Sequence, residues 1–202
     1  MPKVTEEHLS ARRQQIMDAA VECFSREGFH RTTMQNIITE TGMSAGSIYR
    51  YFASKEDIVA AIANDHHAPE ASVLERIEEF EDPREALIQL ARASLGRLND
   101  PAERRWRRVT VQLWAEALRN PRIMEVVRSG LDAPIDQLTS LFEKAQQAGY
   151  LAAPIDPGGA ARVCASLFQG LVVQQTWDPL LDVEPYMGAV STLIEQLMPA
   201  RR

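Results

Sequence analysis

No stretch of this chain approaches the roughly twenty consecutive apolar residues that a membrane-spanning helix requires, although 45% of its 202 residues are hydrophobic. The N-terminal MPKVTEEHLSARRQQ is polar and lacks the apolar segment of a secretory signal, so a cytoplasmic protein is expected. The two cysteines, Cys23 and Cys164, lie far apart without a CxxC partner. That spacing argues against a disulfide framework or a cysteine metal site, and both read as buried, reduced thiols on apolar helical faces. His66 and His67 are adjacent, point about 100° apart on a helix and have no carboxylate–histidine partner set, so they read as a solvated helix end. No metal or cofactor is expected. Alternating apolar and polar runs long enough for a sheet are missing as well, which leaves an all-α chain of about nine helices.

The chain also lacks a basic excess: its formal net charge is -6. The deficit is uneven. Up to Glu56 there are seven Lys/Arg and seven Asp/Glu, a balance of zero; beyond it fifteen stand against twenty-one, which accounts for the whole -6. Lys3, Arg12, Arg13, Arg31, Arg50 and Lys55 therefore form a modest basic face at one end. Attraction to a polyanion is screened within about 8 Å at physiological salt, so this local sign outweighs the total.

What is present is concentrated in GMSAGSIYRYFASKEDIVA, Gly42 to Ala60. Upstream, Met34, Ile37 and Ile38 recur at helical spacing, Thr32 with Gln35 fits a capping box, and Gly42 supplies a left-handed stop. Ser44 then caps a second short helix through Tyr51. Two helices joined by a tight glycine turn make a helix-turn-helix, whose second helix enters the major groove of double-stranded DNA. Gly46 costs about 1 kcal/mol against alanine inside a helix, which points to backbone approaching another surface closely. Tyr49, Tyr51 and Lys55 are candidates for clamping phosphates, with the N-terminal amides of the next helix favouring an anion. Ala45 and Ser47, and Arg50 if it reaches a guanine edge, are candidates for reading bases. Each has a plainer alternative: Ile48 and Phe52 as core, Tyr51 packing under the motif, Thr33 as a cap, Lys55 as an ordinary first-turn residue.

Gly42-Met43-Ser44-Ala45-Gly46 also fits G-x-S-x-G, the nucleophile elbow of serine hydrolases. That chemistry needs a strand before Ser44 and an acid and a histidine well after it. Here Met34 to Thr41 reads as helix and the later histidines come only two dozen residues on, so no enzyme is expected. A helical adaptor that binds protein through the same surface is the third reading.

The N-terminal third resembles the DNA-binding domain of the TetR family of bacterial transcriptional repressors. The resemblance runs from Ile16, Ala20, Phe24 and Gly28-Phe29 through Thr32-Thr33 to Gly-x-Ser-x-Gly-x-x-Tyr-x-Tyr-Phe-x-x-Lys-Glu. Ile38 and Thr41 depart from the family pattern, where alanine is common. The resemblance implies DNA contacts for Thr33, Ser44, Tyr49, Tyr51 and Lys55, and a repressor released from a palindromic operator by a small molecule. It also implies a homodimer through a four-helix bundle.

The first helix is expected over Thr5 to Arg26 with Gly28 as its stop, and Ser54 caps a helix that Pro69 interrupts or ends. Further helices are expected over Pro83 to Leu98, Pro101 to Leu118, Pro121 to Gln147, Pro157 to Trp177 and Glu184 to Leu197. Residues 1–53 make the DNA-binding domain and 54–202 a helical effector-binding and dimerisation domain. The last two helices are the expected dimer seam, through Ala161, Ala165, Phe168, Leu171 and Val172 on one and Met187, Val190, Ile194 and Leu197 on the other. Gly170 allows close approach. Trp106, Thr110, Leu113, Trp114 and Ala117 share a helical face and, with Met124, Phe168 and Gln169, are candidates for an effector cavity or for plain core. Arg104, Arg105, Arg107 and Arg108 are expected to pair with the acidic run Glu75 to Asp82.

Overall fold

The computed structural model describes residues 6–75, 80–100 and 103–199. Among these there is no strand, and nine α-helices succeed one another: α1 Glu6–Glu27, α2 Met34–Thr41, α3 Ala45–Tyr49, α4 Lys55–Glu75, α5 Pro83–Gly96, α6 Glu103–Ala117, α7 Pro121–Gln147, α8 Pro157–Trp177 and α9 Val183–Leu197. A 3₁₀ turn at Arg97–Asn99 extends α5. The breaks follow local chemistry: Gly28 and Gly42 adopt φ of 89° and 66°, a left-handed conformation that costs a side-chain-bearing residue about 1 kcal/mol or more. Ser54, Asp82, Asp156 and Asp182 accept backbone N–H groups at the starts of α4, α5, α8 and α9. Helix α4 does not stop at Pro69; its backbone continues to Glu75.

The chain divides into two compact units, residues 1–66 with 105–127, and residues 67–104 with 128–202. The first unit does not end near Ala53. Its core joins Ile16, Phe24, Ile37 and Ile48 of α1 to α3 with Ile58 and Val59 of α4 and Val109 and Leu113 of α6, all 4% exposed or less. Deleting a large apolar side chain from such a core costs about 2–5 kcal/mol, so the three N-terminal helices depend on α4 and α6 for much of their packing.

The second unit packs Ala86, Leu87 and Leu90 of α5 against Leu141, Phe142 and Ala145 of α7 and Ala161 and Ile194 of α8 and α9. Part of the expected seam is taken up inside the chain, while Ala165, Phe168 and Met187 stay half-buried. Ala161 and Ile194 are buried in the core of this unit, Val190 and Leu197 pack on it, and Leu171 and Val172 are buried as well. The exposed apolar residues of these two helices lie on the neighbouring faces: Val163 at 59%, Trp177 at 78% and Leu193 at 52%. A Cβ placed on Gly170 or Gly188 would meet no atom of the described residues within 4 Å, so none of these requires glycine there.

Candidate nucleic-acid interface

The site is built from α2 and α3 and the turns on either side. Thr33, not Thr32, caps α2. Its hydroxyl accepts the Asn36 N–H at 3.2 Å while the Asn36 carboxamide accepts the Thr33 N–H at 2.8 Å, a reciprocal box in which asparagine takes the place expected of Gln35. Thr32 is 1% exposed, and its hydroxyl donates inward to the Gly28 carbonyl at 2.9 Å. Of the departures from the family pattern, Thr41 has a local role, since its hydroxyl accepts the Met43 N–H at 3.1 Å and shapes the turn. Ile38 packs half-buried against the core.

Ser44 caps α3 by accepting the Ser47 N–H at 3.3 Å, and Ile48 and Phe52 anchor the helix in the core. That serine follows a helix, not a strand, so the structural setting of a hydrolase nucleophile is missing around it. With Ile48 inward, Ser44, Ala45, Gly46, Tyr49 and Arg50 are left exposed, Ser47 half-exposed and Tyr49 52% exposed. A Cβ on Gly46 would meet nothing within 4 Å. The free space lies outside the protein, which is where a second backbone would pass.

Tyr51 is half-buried with its ring on the core, and the Arg50 guanidinium lies 5.9 Å above it. The Arg13 guanidinium stands 5.3 Å over the Phe52 ring. Among the described residues Arg13, Arg31 and Arg50 are exposed and hold no carboxylate, so their charge is free for phosphates. Arg26 is different: it is bound to Glu40 at 2.9 Å and also to Glu27 and Glu22, which ties α1 to α2. Cys23 is fully buried in this core, and burial, then the charge of Glu40, pushes its thiol up.

Lys55 departs from the expected phosphate clamp. Its ammonium donates to the carbonyls of Phe29 at 2.8 Å, Thr32 at 3.0 Å and His30 at 3.4 Å, and lies 4.3 Å from the Phe29 ring centroid. It holds the turn between α1 and α2. Gln112 of α6 grips the same turn from its other side, an arrangement that no motif in the sequence announces.

The effector candidates fall in different places. Leu113 and Ala117 are core of the first unit, Met124 and Trp106 pack half-buried on it, and the Trp106 ring stacks on His66 at 4.6 Å. Thr110 and Trp114 are half-buried in the same unit, whereas Phe168 and Gln169 belong to the second. Two turns beyond Phe168, Gln175 is 4% exposed with an Oε1 that has no donor among the described residues. Arg105 pairs with Glu22 at 2.9 Å and Asp82 with Arg84, while most of the acidic run expected to meet the arginines of α6 lies outside the described side chains.

A short exposed helix held by a capped turn, its far side in the core and loose cations around it, is the arrangement of a helix-turn-helix DNA-binding regulator. Residues 16–62 match the model of bacterial regulatory proteins of the tetR family, and residues 83–199 that of the C-terminal part of BetI-type transcriptional repressors. The chain belongs to the TetR family of DNA-binding transcriptional regulators. It is 28% identical over 192 residues to the transcriptional regulator UidR of Escherichia coli, a match covering 93% of each chain. It is 40% identical over 76 residues to the repressor Rv1474c of Mycobacterium tuberculosis, which covers 38% of this chain but only 41% of that relative. Salmonella enterica GusR superposes with a TM-score of 0.75 at 26% identity, covering 98% of this chain and all of that one. Members of the family bind DNA operators and small-molecule ligands as dimers. No helix among the described residues is long and apolar enough to cross a membrane.

Proposed function

We propose that the chain is a dimeric, non-enzymatic cytoplasmic repressor that occupies a palindromic operator through α3 and leaves it when a small molecule fills a cavity in the C-terminal part. The observation that carries this reading is the exposed face Ser44, Ala45, Gly46, Tyr49 and Arg50 with open space beyond Gly46. On it, Thr33, Ser44, Tyr49 and Tyr51 contact phosphates, Ala45, Ser47 and Arg50 meet base edges, and Lys55 positions the turn that presents them. Functionally, residues 1–53 are the reading head and 54–202 the sensing and pairing part, even though α4 and α6 complete the core on which the reading head rests.

The dimer uses α8 and α9 through the faces bearing Val163, Gly170, Trp177 and Leu193, whose exposure supports a partner there. Two such pairs form a four-helix bundle and set the recognition helices about 34 Å apart, one turn of the duplex. For the effector, Trp106, Thr110, Leu113, Trp114 and Met124 of the first unit and Phe168 and Gln169 of the second are each kept as candidate contacts within their own unit. Gln175 adds an unmatched acceptor, which favours a ligand carrying an N–H or O–H donor. Filling the cavity moves α4 and changes the separation of the two α3 helices, and coupling of about 1–3 kcal/mol between sites suffices for release.

The direct test is recovery of genomic fragments on the purified protein. A shared inverted repeat whose affinity falls steeply with salt supports the reading. Indifference to every duplex, even in dilute buffer, contradicts it and leaves the adaptor.

A further inference from the structure

Phe29 is held at both ends of its own backbone by different helices. Its N–H donates to Gln112 Oε1 of α6 at 2.8 Å, and its carbonyl accepts the Lys55 ammonium of α4 at 2.8 Å. The N–H lies one residue past the left-handed Gly28, where the chain has left α1 and not yet begun α2, so no helical acceptor is in reach. Gln112 supplies one from 83 residues away. Its Nε2 also reaches the Phe24 carbonyl at 3.5 Å, so a single carboxamide closes both sides of the turn. Gly28 is called for by its φ of 89° and not by space, since a Cβ there would meet Oε1 at an ordinary contact distance of 3.5 Å.

This turn fixes the place of α2 and α3. From Phe29, whose ring is 2% exposed and meets Phe24 at 5.3 Å, the chain reaches the cap Thr33 in four residues, and both helices are placed from that cap. A nearby contact runs the same way: Asn120, in the turn between α6 and α7, donates to Glu56 of α4 at 3.5 Å. A displacement of α6 that shifts Gln112 therefore shifts Phe29, or leaves a buried N–H without an acceptor.

We propose that Gln112 is a positioning residue for DNA binding: without touching the duplex, it sets the α1–α2 turn and through it the presentation of α3. The inference rests on the DNA-reading role of α3, and on nothing about the effector. Gln112→Leu removes both hydrogen bonds at similar volume. Gln112→Glu keeps the acceptor for Phe29.

Three quantities are measured on the full chain, with a duplex enriched by the unaltered protein from a random-sequence pool: affinity, its dependence on salt, and hydrogen exchange at the Phe29 amide. The expectation is an about tenfold weaker affinity for Gln112→Leu, the equivalent of one lost hydrogen bond. The slope against log salt stays unchanged because no phosphate contact is lost, and protection at Phe29 disappears. Gln112→Glu restores both affinity and protection. Should the leucine variant fail to fold, Gln112→Asn, too short to reach, replaces it with the same expected results. Unchanged affinity, a Phe29 amide that stays protected, or a weakening that comes with a shallower salt slope overturns the assignment. If the unaltered protein enriches no duplex at all, the DNA-reading role itself fails, which is a separate outcome.

Discussion

The ammonium of Lys55 lies 2.8 Å from the Phe29 carbonyl and 4.3 Å from the centroid of the same residue's ring. A cation that caps three carbonyls and faces an aromatic ring is an internal fastening. Lys55→Met keeps the stem and loses the charge, and is expected to lower stability by about 1–3 kcal/mol and to weaken duplex binding with an unchanged salt slope. Denaturant unfolding and binding isotherms at several salt concentrations check this. A slope reduced by about one would assign Lys55 to a phosphate instead.

Gly46 separates folding from function. Since a Cβ there meets nothing within the protein, Gly46→Ala is expected to raise stability by up to about 1 kcal/mol through helix propensity. The same methyl intrudes on the duplex, so affinity falls while the melting temperature rises. Equal or tighter DNA binding would show that nothing approaches α3 at that point.

Leu193 and Ile194 are neighbours in α9 with opposite surroundings, one 52% exposed and the other 8%. Leu193→Asp is expected to leave the fold intact and convert the dimer to monomer, since a carboxylate would have to be desolvated in the seam. Ile194→Ala is expected to cost about 2–5 kcal/mol in folding by opening a cavity, with pairing affected only secondarily. Sedimentation and thermal unfolding of both variants distinguish the cases, and a Leu193→Asp protein that remains dimeric would place the seam elsewhere.

Asp82 couples α5 to pH. Its hydrogen bonds from the Arg84 side chain, chiefly, hold the carboxyl below its ordinary value of 3.8, and it also accepts the Arg84 N–H at 2.9 Å. A group whose pKa is lower when folded stabilises above its unfolded pKa, and loses that contribution as pH falls through the folded one. Asp82→Ala is expected to cost about 1 kcal/mol at neutral pH as a lost cap, and the difference from the unaltered chain to close as pH drops well below 3.8. A difference that persists in acid would mean that the charge of Asp82 is irrelevant.

Local chemistry made much of this fold legible in advance. The bounds of α7 and α8, the left-handed Gly42 and the cap Ser44 all come from proline, glycine and serine acting on their own neighbours. The features that escaped depend on tertiary surroundings. Thr32 and Thr33 are chemically alike as caps, and only the packing of α1 draws Thr32 inward. An apolar stripe at helical spacing tells which face of α9 is covered but not by what, and Leu193 and Ile194 differ by one step of about 100°. Gln112 and Gln175 are lone amides whose roles come from their tertiary surroundings, so no spacing betrays them.

The most direct measurement is a hydroxyl-radical footprint of the unaltered protein on its enriched duplex. The expected pattern is two equal protected patches related by a twofold axis, on one face of the duplex and about one helical turn or two apart, lost together when Arg50 and Tyr49 are replaced by alanine. Protection without symmetry, or a footprint that survives those replacements, would contradict the assignment of α3 as the element that reads DNA.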